Sequence, residues 1–387
     1  MQAIVLTAGE GQRLRPFTAN KPKSMIKVAN KPILEFIIES IKQSGIRDVV
    51  MVVGYKKERI MNYFGDGKEF GVRIKYAFQH QQLGTAHALK QAKELAEDEF
   101  LVVPGDNIID SGTLERVEEP YTILYKRLLE VSKYGVLFLK NNHVERIVEK
   151  PEEQEGGLAN TGIYCLDRRI FDEIGEETSL VAVINRLIEK GASFKAKEAE
   201  KWLDVVYPWD ILKLNDLSMD FKGKRISGKV ESGVTIIGDV IIGEGSVVRG
   251  NTYIYGPVII GEQCRIGPNC VIFPSTSIGN STTIGPLSYI ENSVIGENVR
   301  IDSGCHIKNS VIDNGTAIQS GFKAISGESE MAICDEWHCV EAGAFIGEGT
   351  KIGAGVVTKP CATIGNFVKM ADLKVVDGVI PDNSVVL

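Results

Sequence analysis

No apolar stretch in the 387 residues approaches the ~20 needed to span a bilayer. No basic segment followed by an apolar core opens the chain, so a secretory signal is not expected and the expected location is the cytoplasm. Positive charge is not in excess either. The formal net charge of −7, from 44 Lys and Arg against 51 Asp and Glu, argues against nucleic acid or an anionic membrane as partner. Any phosphate binding must therefore be local. Cysteine is sparse and odd in number: seven, mostly in the second half, which in a cytosolic chain read as small buried hydrophobes. Cys334, His338 and Cys339 lie close together, but no matching Cys/His pair stands near them, so zinc is the lesser reading. What remains is ordinary for a globular chain: 43% hydrophobic, 25% charged, and long enough for about two domains with real cores.

The stretch around which the rest is organised is LTAGEGQRLRPFTANKPK, Leu6 to Lys23. It follows Ala3-Ile4-Val5-Leu6, an apolar run long enough for one buried parallel strand. Gly9 and Gly11 allow backbone N–H groups to approach a phosphate, and Arg13 and Lys23 add fixed positive charge. A dinucleotide fingerprint would need a third glycine where Leu14 stands, and a Walker loop would need Gly-Lys-Ser/Thr. Both are absent. The glycines alone fit an ordinary strand–turn; taken with the charges of Arg13 and Lys23 they are read as a loop that wraps a nucleoside triphosphate, and the spacing Gly-x-Gly-x-Arg-Leu-x-Pro with a later Pro-Lys is the more specific signal.

Strands then alternate with helices. Lys31 to Gly45 has Pro32 for a first helical turn, Ile33, Phe36, Ile37 and Ile41 at helical spacing, and Gly45 for the C-terminal stop. Val49 to Val53 reads as a second buried strand. This order predicts a parallel sheet with helices on both faces, whose ligands bind beyond the carboxyl ends of the strands. Between the strand Ile74 to Phe78 and a helix beginning near Ala86 lies FQHQQLGTAHA, where Thr85 also suits a helix N-cap. His80 and His87 read as loop and packing residues. FLVVPGDN delivers Asp106 at the end of an apolar strand, where a hard cation beside phosphates would be bound. EKP at Glu149 to Pro151, NTG at Asn160 to Gly162 and WLD at Trp202 to Asp204 follow.

After Lys224 the pattern changes. Ile or Val recurs every sixth residue from Ile242 through Val248, Ile254, Ile260, Ile266, Ile272, Ile278 and Ile284 to Ile290. The register slips by one at Ile295 and again at Ile312, then resumes at Ile346, Ile352 and Ile364. Six-residue spacing rotates around a helix axis and cannot hold one helical face. Short strands stacked around a prism, each pointing its Ile or Val inward, can hold it. The stretch from Ser320 to Glu341 interrupts the repeat as an inserted loop or irregular coil.

These motifs, in this order, resemble the sugar-1-phosphate nucleotidyltransferases, and the repeat resembles a hexapeptide-repeat left-handed β-helix. Nearly the whole chain is similar to the bifunctional N-acetylglucosamine-1-phosphate uridylyltransferase/glucosamine-1-phosphate acetyltransferases, with further likeness to glucose-1-phosphate thymidylyltransferases. The fold class implied is α/β, a Rossmann-like mostly parallel sheet with helices on both faces, followed by a left-handed parallel β-helix. The expected division is a nucleotidyltransferase domain at 1–222, a linker at 223–235 and the β-helix at 236–387.

The resemblance implies roles residue by residue. Arg13 and Lys23 would be catalytic, gripping the triphosphate and the sugar phosphate. Ala8, Gly9, Gly11, Gln79, Gly84 and Thr85 would bind the nucleotide, with the Gln79 amide on the edge of uracil or thymine. Gly135, Glu149, Lys150, Asn160 and Thr161 would line the sugar-phosphate pocket. Asp106 and Asp204 would hold Mg²⁺. The implied reaction joins UTP or dTTP to GlcNAc 1-phosphate or glucose 1-phosphate, releasing pyrophosphate. The implied assembly is a homotrimer built through the β-helix, with no nucleic-acid or membrane partner. The acetyltransferase halves of that family carry His-Leu-x-Tyr-x-Gly-Asp with the histidine as base. Here the matching stretch is Pro286-Leu287-Ser288-Tyr289-Ile290-Glu291-Asn292, and proline cannot take a proton. Acetyl transfer from acetyl-CoA to glucosamine 1-phosphate is the alternative second activity, and a non-catalytic regulatory subunit is another. The presence of Gly9, Gly11, Arg13, Lys23, Asp106 and Asp204 speaks against the latter.

Overall fold

The computed structural model describes residues 1–117, 119–151, 155–334 and 336–387. The chain divides into two compact units. One comprises Met1–Glu10, Lys21–Met25 and Pro32–Asp204; the other comprises Gly11–Asn20, Ile26–Lys31 and Val205–Leu387. No helix among the described residues is long and apolar enough to cross a membrane.

The first unit is built on a nine-stranded sheet. Its parallel part runs Arg73–Phe78, Asp48–Val53, Gln2–Thr7, Glu99–Pro104. Beyond Glu99–Pro104 the long strand Glu155–Asp167 enters antiparallel and leads to Thr122–Glu130, Lys195–Glu198, His143–Glu149 and Gly135–Lys140. Period-two alternation sorts the strand residues onto two faces. Ala3, Val5, Val49, Met51, Leu101 and Val103 pack with Leu34, Ile37, Ile38 and Ile41 of the helix Ile33–Gln43. Ile4, Val50, Val52, Phe100 and Val102 pack on the opposite side with Ala86 and Leu89 of the helix Thr85–Gln91 and with the helix Leu180–Glu189. Both faces are covered, so the parallel strands are continuously apolar. The helix Ile33–Gln43 starts after Pro32 and stops at Ser44 and Gly45, the latter at φ +88° as its stop position requires.

The second unit stacks short strands into three all-parallel sheets of nine, nine and eight strands, the architecture of the expected left-handed β-helix. Ile242 pairs with Ile260 and Ile260 with Ile278, three hexapeptides per coil. The register slips correspond to shorter coils: Ile278 pairs with Ile295 and Ile295 with Ile312. The repeat isoleucines from Ile242 to Ile364 are at most 1% exposed and form one continuous core. Residues 223–235, expected as a linker, already carry the strands Lys224–Ile226 and Lys229–Val230, which pair with Val240–Ile242 and Val247–Val248. The interruption is more ordered than an irregular coil. Lys323–Ala324 keeps its place in the stack, and Gly327–Ile333 pairs with Glu336–Ala342 as an antiparallel hairpin; Asp335 lies outside the described residues.

Candidate active site

Two motifs nearly one hundred residues apart meet because of a small sheet. The strand Glu99–Pro104 ends at Gly105-Asp106, and the chain continues as the strand Asn107–Ile109. Trp202–Asp204 pairs antiparallel with that strand, Trp202 opposite Ile109 and Asp204 opposite Asn107. This register sets the Asp204 carboxylate beside Asp106. Gly105 is fixed by close approach: its N–H donates to Leu6 O at 2.8 Å, and a Cβ there would stand 2.3 Å from Thr7 Cγ2.

Lys23 completes the cluster. It begins the 3-10 turn Lys23–Met25, closed by Met25 N–H donating to Pro22 O at 2.9 Å. Its Nζ lies 2.7 Å from Asp106 Oδ2 and 3.4 Å from Asp204 Oδ1. The side chains of Lys23 and Asp204 are only 15% and 14% exposed, while Asp106 is 39% exposed and carries the solvent-facing side of the group. Burial alone would lower the Lys23 pKa, but the two carboxylates reverse that and hold it above the ordinary lysine value. Among the described residues no three His, Cys, Asp or Glu side chains form a metal cluster. The donor set here is two carboxylates already converging on a cation. That fits a hard divalent ion of the kind bound by one or two carboxylates plus substrate phosphates.

The opening loop divides between the units. Ala8 is buried, its carbonyl accepting from Tyr55 N–H at 3.1 Å. A Cβ on Gly9 would touch nothing within 4 Å, so no packing demand of the protein explains that glycine. Gly11 has φ +74°, the left-handed conformation that glycine adopts without strain. Arg13 sits in the second unit on the turn Gln12–Leu14.

The other expected residues fall into two groups. Gln79 is buried, and its Nε2 donates to Gly84 O at 3.1 Å and meets His87 Nδ1 at 2.9 Å. With the amide nitrogen so engaged, the amide oxygen is left as an acceptor. Gly84 has φ +136°, and a Cβ there would lie 2.4 Å from Thr178 O. Thr85 is not a helix cap. Gly84 holds that position, and the Thr85 hydroxyl instead accepts from Leu180 N–H at 3.0 Å, tying the loop to the helix Leu180–Glu189.

Gly135, Glu149 and Asn160 come together through strand register. Glu149 pairs with Gly135, and a Cβ on Gly135 would lie 3.6 Å from both Asn160 Cβ and Glu149 Cδ. Asn160 Nδ2 donates to the Tyr164 hydroxyl at 2.6 Å. The sequence reading did not foresee this partner; an irregularity in the Glu155–Asp167 strand between Asn160 and Tyr164 accompanies the contact. Although Glu149 is exposed as a residue, lost hydration at its carboxyl raises the pKa, opposed by Lys150. Thr161 is 2% exposed and donates to Leu124 O at 2.8 Å, so its hydroxyl serves the sheet.

Comparison with known proteins identifies the family. The family model "Nucleotidyl transferase" matches residues 2–218, and "GMPPB C-terminal domain" matches 236–329. A "Bifunctional protein GlmU" of Methanocaldococcus jannaschii is 38% identical over 255 residues, 64% of this chain and 61% of that protein. The chain thus spans about three fifths of that relative's length. The "UTP--glucose-1-phosphate uridylyltransferase AglF" of Haloferax volcanii is 35% identical over 227 residues, 54% of this chain and 93% of that protein. A crystal structure assigned as a glucose-1-phosphate thymidylyltransferase of Bacillus anthracis, in complex with a sucrose, is similar with TM-score 0.53 and 26% identity, covering 58% of this chain and 97% of that one. Members of such families generally use a divalent metal. With more than half its length inside that first family model, the chain belongs to the nucleotidyl transferase family.

Proposed function

We propose that the chain is a sugar-1-phosphate nucleotidyltransferase that makes a nucleoside diphosphate sugar and pyrophosphate from UTP or dTTP and a sugar 1-phosphate. The observation that carries the reading is the buried Lys23 ammonium between the Asp106 and Asp204 carboxylates. A phosphate oxygen of the sugar phosphate attacks the α-phosphorus in line. That oxygen is ionised at neutral pH and needs no general base, so catalysis consists of positioning and charge stabilisation. Asp106 and Asp204 are the proposed holders of Mg²⁺, which when bound neutralises charge developing on the phosphate oxygens. Lys23 supplies further positive charge to the triphosphate. The open Cβ position of Gly9 suits a backbone that a phosphate approaches. Gly135, Glu149, Lys150 and Asn160 are the proposed sugar-phosphate contacts, and Gln79 with Gly84 the proposed base-reading loop.

The sugar is proposed as glucose or N-acetylglucosamine, and the functional division as 1–222 for transfer, followed by the β-helix, whose stack already includes Lys224–Ile226 and Lys229–Val230 ahead of 236–387. We propose the β-helix as an assembly domain, in a homotrimer, without acetyl transfer. Pro286 offers no base, and His306 is engaged by stacking on Tyr289 at 4.6 Å. The discriminating experiment is a pyrophosphate-release screen of four triphosphates against several sugar 1-phosphates. Release with UTP or dTTP and a hexose 1-phosphate is expected; release only with purine triphosphates, or none, would overturn the assignment.

A further inference from the structure

We infer that Lys23 is the resident counter-ion of the metal site: its ammonium and the divalent cation exclude one another on Asp106 and Asp204, so metal loading releases Lys23 toward the triphosphate. The inference rests on the function proposed above and concerns how that site is switched on.

The argument is one of shared carboxylates and charge. Lys23 Nζ contacts Asp106 Oδ2 at 2.7 Å and Asp204 Oδ1 at 3.4 Å. A Mg²⁺ ion needs carboxylate oxygens at about 2.0–2.1 Å and would draw on the same two carboxylates. With the lysine in place, the cluster carries two negative charges and one positive. A divalent ion added without displacing Lys23 would put two cations side by side against Asp204, 14% exposed, and Asp106, 39% exposed. With the lysine displaced, the metal takes its place against the two carboxylates, and the ammonium pairs elsewhere. A buried ammonium without a partner is costly, so metal alone is resisted. A triphosphate supplies the missing partner. Metal and nucleotide therefore favour each other's binding through Lys23, and the coupling is reciprocal. Backbone rearrangement is unnecessary: the turn Lys23–Met25 stays anchored by its bond to Pro22 O, and the side chain swings.

The test is Mn²⁺ binding to the full chain without nucleotide, read by the electron paramagnetic resonance of free Mn²⁺ and by the metal-induced shift in unfolding temperature. The wild-type chain is expected to bind weakly and show no shift until UTP is added. Lys23→Gln, whose amide can still donate to a carboxylate and support folding, is expected to bind at least about tenfold tighter, as removal of one charge in contact with the site implies. It should also gain a metal-induced stabilisation without nucleotide. Lys23→Arg keeps the cation and should behave as wild type. Adding Asp204→Asn to Lys23→Gln should remove the gain. Unchanged Mn²⁺ affinity in Lys23→Gln overturns the inference while leaving the proposed reaction, read from wild-type pyrophosphate release, in place; absence of that release overturns both.

Discussion

Gly105→Ala tests whether the position of Asp106 is set by backbone packing. A Cβ at residue 105 would lie 2.3 Å from Thr7 Cγ2 and 3.0 Å from Leu6 O. Both neighbours belong to the strand Gln2–Thr7 in the middle of the parallel part of the sheet, and Thr7 is itself held by its hydroxyl donating to Val52 O at 2.8 Å. The strand cannot yield without disturbing its pairing on both sides, so the turn carrying Asp106 must shift. Overpacking of this kind costs about 1–3 kcal/mol. At about 2–4 °C per kcal/mol for a unit of this size, that lowers its unfolding midpoint by roughly 2–12 °C. A carboxylate displaced by about 1 Å from its partners costs on the order of 10²-fold in kcat/KM. The assay is pyrophosphate release alongside thermal unfolding. Thr7→Ser removes only the offending methyl and keeps the hydroxyl bond, so Gly105→Ala with Thr7→Ser should recover much of both losses, a coupling that two independent defects would not give. A Gly105→Ala chain with wild-type kcat/KM, or a double variant no better than the single, would refute the reasoning.

Two further perturbations address the second unit. Ile290→Ala removes a side chain that is 0% exposed and stacked between Ile272 and Ile307; it should destabilise the β-helix by about 2–5 kcal/mol in urea unfolding, and a loss well under 1 kcal/mol would contradict a dry, continuous core. His306 stacks on Tyr289, and its neighbouring charges are Lys323, Glu291 and Lys308. Partial burial, then Lys323, hold its imidazole below the ordinary histidine value. The unfolded chain thus takes up the proton first, so this contribution to stability is present above about pH 6.5 and is lost as pH falls through the window just below it. His306→Gln should lose less stability than wild type between pH 7.5 and 5, and superimposable profiles would contradict the assignment.

Much of this architecture is legible in the sequence because the signals are periodic and local. Six-residue spacing forces short strands on a prism, and even its one-residue slips reappear as shortened coils at Ile295 and Ile312. Alternation between apolar runs and helical stripes likewise marks the doubly covered sheet. The site is legible as an ordered set of motifs, but its geometry is not. That Asp204 faces Asn107 depends on the pairing of two three-residue strands, too short to announce a partner. Thr85 has the composition of a cap, yet Thr178 and Leu180, distant in sequence, fix how the loop 84–86 is tied down. Residues 11–20 and 26–31 read as part of the first domain but belong to the second unit, through contacts such as Asn366 Nδ2 donating to Pro16 O at 3.0 Å. The hairpin Gly327–Ile333 with Glu336–Ala342 lacks the six-residue period because its strands pair with each other and not with the stack.

The central claim is that Lys23, Asp106 and Asp204 form the centre of a nucleotidyl transfer site. Its most direct test is the steady-state rate of pyrophosphate release by Lys23→Ala, with UTP or dTTP and the sugar 1-phosphate that the wild-type chain prefers. Loss of one charged group aimed at the reacting phosphates should reduce kcat by about 10²–10³-fold or more, with circular dichroism and oligomeric state unchanged. A folded Lys23→Ala chain turning over at the wild-type rate would contradict it.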